Sequence, residues 1–328
     1  MKHWAWKLVG LGILAYLLWR VDWPRLGRLL AAADWRLFLA SWLLTPLLLW
    51  LKTMRWRALL AQQGIRVPPG RAFAYYLAGL YLAVITPGRL GELARAGYLK
   101  ANHGVGMGTA LASLICDRAL DLYLLVLAGA GGLALGWLGP NLAPPARAAL
   151  AGVLLLPAAL CLVARLRPWR QDLARLLDHP RVPALLRTGA DDLVAGLKLL
   201  LTPRLLWPWV LTLASYALFF LQIYLLVRSL DIGIGYLQVI PLLSLASLAS
   251  FLPIAVSGLG TREATLYLLL RPLGIGLDAV MGLSLGILAV VYVGTGILGG
   301  VAWWVTPLSR EELSRLKGKG DGAQSMPR

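Results

Sequence analysis

The chain has 328 residues, of which 59% are hydrophobic and 14% charged, and it carries a formal net charge of +17. A soluble domain is about half apolar and about a quarter charged, so an ordinary soluble globule is excluded and an all-α, polytopic integral membrane protein is expected. The Lys and Arg excess lies between apolar segments, where the positive-inside rule puts it in a membrane protein, and no nucleic-acid partner is expected.

A spanning helix needs roughly 20 apolar residues, and reading for such runs predicts about six. Helix 1 covers 4–20. It starts with MKHWAWK, and no small-residue cleavage site follows it, so it is read as retained rather than as a signal peptide. Residues 21–36 have an amphipathic pattern, with Trp23, Leu26, Leu29 and Leu30 on one face. Helix 2 covers 37–52, and a basic loop with Lys52, Arg55, Arg57, Arg66 and Arg71 follows it. Residues 72–103 form an apolar run that ends in charge. Helix 3 covers 107–136, and helix 4 covers 146–165. A polar loop, 166–204, starts a short helix at a Thr188-x-x-Asp191 cap. Helix 5 covers 205–228. Residues 237–271 again end in charge, and helix 6 covers 279–306. Trp303 and Trp304 read as interfacial anchors. Residues 1–308 make a single transmembrane domain, and 309–328 read as a basic, disordered cytoplasmic tail.

Sidedness then follows by counting. With the N-terminus, the loops 52–71 and 166–204 and the tail all cytoplasmic, 72–103 and 237–271 must each leave on the side they enter. Both are read as re-entrant helical hairpins, although two short full spans in each give the same sidedness. Residues 1–140 and 141–308 then repeat one order, helix, helix, hairpin, helix, in opposite orientations. This is the inverted-repeat plan of many secondary transporters.

The hairpin tips carry the chemistry. TPGRLGELAR (86–95) and LPIAVSGLGTREA (252–264) share a grammar of proline, glycines and an Arg/Glu set. Pro87 and Pro253 break the incoming helices, and Gly88, Gly91, Gly258 and Gly260 allow tight turns. Each following helix begins with free N–H groups and a partial positive charge. Arg89, Arg95 and Arg262 reinforce that end for phosphate, and Ser257 sits at the second tip. Glu92 and Glu263 are candidates to cap the helix, pair with arginine, or bind an amine or proton. Helix 3 holds a third charged group in CDRALDL (116–122). Asp117 and Asp121 lie four apart on one face, and Arg118 can pair with Asp121 or, with Asp117, meet a hairpin charge. A charge at the centre of a span costs about 2.5–3.5 kcal/mol on insertion scales.

Cys116 and Cys161 read as buried thiols, and the three histidines make no ligand spacing. The sequence contains no Walker loop, no GxSxG elbow and no metal cluster, so no cofactor, metal or catalytic residue is expected.

TPGRLGELAR, CDRALDL and LPIAVSGLGTREA resemble, in this order, the signature segments of the flippase-like family, also called the lysylphosphatidylglycerol synthase transmembrane-domain family. The resemblance covers about 5–305 and implies a membrane domain that handles or moves lipids. The matching positions are Pro87, Gly91, Glu92, Asp117, Arg118, Pro253, Gly258, Gly260, Arg262 and Glu263. In the synthase members a soluble aminoacyl-transferase domain follows. This sequence ends soon after helix 6, so that domain is expected to be absent, and the synthase activity and lysyl-lipid substrate are not carried over.

The expected function is an ATP-independent, non-enzymatic lipid flippase or transporter in the cell membrane, with both termini cytoplasmic. Its substrate is a phosphate-bearing lipid, phospholipid or polyprenyl-linked. The proposed substrate-binding residues are Arg89, Glu92, Arg95, Asp117, Arg118, Ser257, Arg262 and Glu263. One alternative is a membrane-embedded transferase using Glu92 or Glu263 as general base. Another is a non-transporting scaffold that docks a lipid-synthesis enzyme through the 166–204 loop and tail.

Overall fold

The computed structural model describes residues 12–86, 91–137, 205–251 and 259–305. Helix 4, the 166–204 loop, the tail, Pro87, Gly88, Arg89, Pro253, Ser257 and Gly258 lie outside them. Among the described residues all regular structure is helical. After α1 (12–20) come α2 (Trp23–Ala31), α3 (Trp35–Gln62), α4 (Pro69–Ile85), α5 (Ala94–His103) and α6 (Met107–Ala134). Further along are α7 (Leu206–Ser229), α8 (Tyr236–Ser250) and α9 (Thr261–Leu270). The last helix, α10 (Leu277–Val305), is continuous through a π-helical stretch at Leu288–Val293.

Local chemistry sets the boundaries. Asp22 and Asp34 cap α2 and α3 by accepting from the backbone N–H groups of Arg25 (3.0 Å) and Arg36 (2.9 Å), the usual use of aspartate at that position. Pro69 sits in the first turn of α4, where its missing N–H is harmless. Gly104, with φ of 64°, ends α5. Gly260 takes φ of 87° just before α9, a conformation that side chains with a Cβ rarely adopt.

The α3, α7 and α10 helices are long and apolar enough to cross a membrane. The 28-residue α6 is as long as α3 but carries Asp117, Arg118 and Asp121 in its middle. Large apolar side chains face outward along the spans, among them Leu43, Leu213, Ile297 and Val301, as lipid contact requires. Trp35 and Trp207 stand exposed at the starts of α3 and α7, and Trp304 at the end of α10, where aromatic belts form. The chain is a multi-pass membrane protein.

Two differences from the sequence reading stand out. The second span does not stop at Lys52 but runs on to Gln62, so the residues read as the start of a basic loop are helical. The amphipathic face of α2 is also split. Leu26 is buried and, with Leu29, packs on α10 at Gly282, whereas Trp23 and Leu30 stay exposed.

Packing follows a paired scheme. The α3 helix lies along α7, α8 lies along α6, and the C-terminal part of α10 lies along α4. The first crossing is stitched by polar groups: Ser41 Oγ donates to the Gln222 carbonyl (2.9 Å), and Gln222 Nε2 donates to Thr45 Oγ1 (2.8 Å). The other two crossings depend on glycine. A Cβ on Gly132 of α6 would lie 2.8 Å from Pro241 Cβ of α8. A Cβ on Gly299 of α10 would lie 2.7 Å from the Leu77 carbonyl oxygen of α4. Small residues allow such close approach in membranes, where packing rather than water exclusion drives association. Among the described residues two large apolar cores result, beside a small one of Leu17, Val21, Leu26 and Met281. One surrounds α4 and α5, with Trp56, Tyr76, Tyr98, Leu99 and Leu114. The other surrounds α8 and α9, with Phe220, Ile223, Leu242, Leu266 and Leu283.

Candidate functional site

The α4 and α5 helices flank the first charged segment and pack on each other. They are zipped together by Tyr75 on Tyr98, stacked at 4.6 Å. Where the chain re-enters helix, Thr86 Oγ1 accepts from the Gly91 N–H at 2.8 Å. Gly91 packs directly on the end of α4, where a Cβ would come within 2.0 Å of the Leu82 carbonyl carbon. That contact holds the α5 start against α4 and turns Glu92 and Arg95 inward.

There they meet α3 and α6 in one buried ionic cluster. Arg55, Arg95 and Asp117 have no exposed area, Asp121 retains 2% and Glu92 7%. Arg55 is at the centre. Its Nη2 lies 2.7 Å from Asp117 Oδ1, and its Nη1 lies 2.6 Å from Asp121 Oδ1 and 3.5 Å from Thr212 Oγ1. Arg95 joins Asp117 Oδ2 (3.2 Å) to Glu92 Oε2 (3.1 Å). Its guanidinium also lies 4.6 Å from the Tyr76 ring and 5.4 Å from that of Trp56, at cation–π range. Arg118 reaches Glu92 Oε2 (3.2 Å), Asp121 Oδ2 (3.3 Å) and Asp117 Oδ2 (3.4 Å). Lys52 Nζ lies 3.4 Å from Asp121 Oδ1 and 4.6 Å from the centre of the Tyr216 ring. Four cations thus face three carboxylates. Buried charges hold only when paired this densely, because removing one partner strands the other at a cost of about 3–5 kcal/mol.

The second tip is smaller and nearly closed. Glu263 Oε2 accepts from the Gly260 N–H (2.6 Å), so the carboxylate caps α9. The other oxygen, Oε1, takes Arg262 Nη2 (2.6 Å) and the Ser284 hydroxyl (2.5 Å). Arg262 Nη2 also donates to Ser284 Oγ (2.9 Å), and its guanidinium lies 5.4 Å from the Tyr292 ring in the π-helical stretch of α10.

The structure therefore brings Glu92, Arg95, Asp117 and Arg118 into one cluster and places Arg262 and Glu263 in another. The expected pairing of helix-3 charge with a hairpin charge is present, through Asp117 with Arg95 and Arg118 with Glu92. The expected Arg118–Asp121 pair coexists with it. Sequence reasoning left Lys52 and Arg55 in a loop and missed Ser284. A signal for the first two was available, because Lys52, Arg55, Trp56 and Leu59 follow the i, i+3, i+4, i+7 spacing of one helix face. An apolar groove of about 500 Å³ shares no lining residue with either cluster and is lined by Leu47, Leu51, Ala214, Leu218, Leu221 and Tyr236 among others.

A multi-pass helical membrane protein with buried charged clusters held against its spans is the class that these features define. The chain matches the family described as the lysylphosphatidylglycerol synthase TM region over residues 6–299, and it belongs to that family. The family points to a lipid-related role in the membrane. No curated protein matches the chain.

Proposed function

We propose that the protein is an ATP-independent lipid flippase of the cytoplasmic membrane, moving a phosphate-bearing lipid with both of its termini cytoplasmic. The observation that carries this reading is the seven-membered buried ionic cluster joining the first hairpin to α3 and α6. Cations outnumber carboxylates in it, which suits an anionic headgroup, and charge at such depth in a membrane protein marks a substrate path by default. The Arg262–Glu263 tip supplies a second, smaller charged station. The α5 and α9 helices, ten residues each, are about 15 Å long. That is half of a hydrocarbon core of about 30 Å and supports re-entrant arms. The pairing of α8 with α6 and of α4 with α10 supports an inverted repeat, since each hairpin packs on the last helix of the opposite half. The headgroup crosses between the stations by alternating access while the acyl chains remain in the bilayer, one of them accommodated by the apolar groove beside α3 and α7.

The test is translocation in vesicles made from the host's lipids, with headgroup-labelled phospholipid and polyprenyl-phosphate probes. The intact protein is expected to move one probe class, and the Arg262→Ala, Glu263→Gln variant is expected to lose that transport while eluting as a folded protein. Normal transport by the folded variant would overturn the mechanism. Single cysteines at Leu93 and Leu259 check the hairpins, with reagent access expected from opposite faces.

A further inference from the structure

The cations of the larger cluster fall into two groups by exposure, and within the buried group Arg55 also makes the shortest contacts. Arg55 and Arg95 have no exposed side-chain area, whereas Lys52 is 17% and Arg118 26% exposed. Arg55 holds its carboxylates at 2.6–2.7 Å. Every contact of Lys52 and Arg118 is longer, from 3.2 to 3.4 Å. Each carboxylate that the outer cations touch is already held by a buried arginine. Asp121 has Arg55, Glu92 has Arg95, and Asp117 has both. Lys52 and Arg118 can therefore turn to another anion without leaving any of the three carboxylates unpaired, which is the costly event in a buried cluster. Arg55 and Arg95 cannot leave their partners so cheaply.

We infer that Lys52 and Arg118, on either side of Asp121, form the seat for the oxyanion of a phosphate ester, with Arg55 as the residue that keeps Asp121 in place beneath them. Lys52 offers a point charge with three donors and Arg118 a planar fork, so the pair meets a tetrahedral phosphate from two sides. The transport reading bears on this inference only for the occupant, a lipid headgroup. A free phosphate shares the same chemistry.

The experiment is equilibrium binding to the detergent-purified full chain of dioctanoyl phosphatidylglycerol, inorganic phosphate and dioctanoylglycerol. The phosphate-bearing lipid is expected to bind and the uncharged glyceride not to. Lys52→Gln and Arg118→Gln should each weaken binding by about tenfold or more, the loss of one charge-assisted hydrogen bond. Lys52→Arg should restore most of it. Arg25→Gln, which removes an exposed charge paired with Asp278, should leave it unchanged. Competition by inorganic phosphate supports the seat and assigns it to phosphate alone. Lipid binding without such competition supports it and assigns it to the esterified headgroup. Equal binding by a folded Lys52→Gln variant, equal binding of the glyceride, or no binding of either phosphate probe by the intact chain would each overturn the inference. Vesicle transport separates the two readings. Lys52-dependent binding without transport sinks the flippase and keeps the seat. Transport with Lys52-independent binding does the reverse.

Discussion

Arg55 and Arg118 lie in the same cluster, yet their removal should have different consequences. Arg55 is wholly buried against two aspartates at the shortest distances in the cluster, so Arg55→Ala leaves Asp117 and Asp121 only the contacts of 3.2–3.4 Å to Arg95, Arg118 and Lys52, and a loss of about 3 kcal/mol, the low end for breaking a buried pair, is expected. Thermal unfolding of the purified protein in detergent measures it. Arg118 is partly exposed, and every carboxylate it touches has another arginine, so Arg118→Ala should cost clearly less in the same scan. If the two variants unfold at one temperature, the division into inner and outer cations is wrong. Gly91 gives a second test. The Cβ of Gly91→Ala would run into the Leu82 backbone, which cannot swing aside as a side chain can. Overpacking of this kind costs about 1–3 kcal/mol, and the variant should melt early even though alanine is the better helix former. This glycine was legible in the sequence as a turn residue. Its contact partner, one arm of the same hairpin, was not.

Among the elements, α10 has two tasks. Its first half presents Ser284 to the Arg262–Glu263 pair, and its second half lies along α4. The π-helical stretch at Leu288–Val293 separates them, and such stretches cluster at functional sites. Ser284→Ala removes one donor to Glu263 and one acceptor from Arg262 in a buried setting, so a loss of about 1–3 kcal/mol is expected, again read by thermal unfolding. A variant as stable as the parent would mean that the second tip does not depend on α10. The extent of α10 was readable from its apolar run, because hydropathy reports length. The π-helical stretch was not, since nothing in LAVVYV departs from an ordinary apolar helix. The end of α3 was misplaced for a related reason. Lys52, Arg55 and Arg57 interrupt the apolar run, and a run that stops reads as a helix that stops. Burial of Arg55 against α6 and α7 reverses that reading, and only the partners supply it.

Over the whole molecule, the two glycine crossings occupy equivalent places in the paired scheme, Gly132 between α6 and α8 and Gly299 between α10 and α4. If the halves work as one alternating pair, Gly132→Val and Gly299→Val should impair translocation to similar degrees, within about threefold of each other, while single-site changes on outward faces such as Leu213→Val leave it intact. Strongly unequal effects would count against the paired mechanism.

The all-helical membrane class, the positions of α7 and α10 among the three helices long and apolar enough to cross a membrane, the charged segments and the family could be read from the chain alone, because they rest on run length, proline and glycine placement, and local charge. The grouping of those charges could not. Lys52 and Arg55 are far in sequence from Glu92 and from Asp117, and whether an arginine ends a span or lies at its core depends on a carboxylate arriving from another helix. That meeting is a property of packing, and it decided that the first tip is an ionic cluster built on α3 and α6, whereas the second is a capped helix end closed by Ser284.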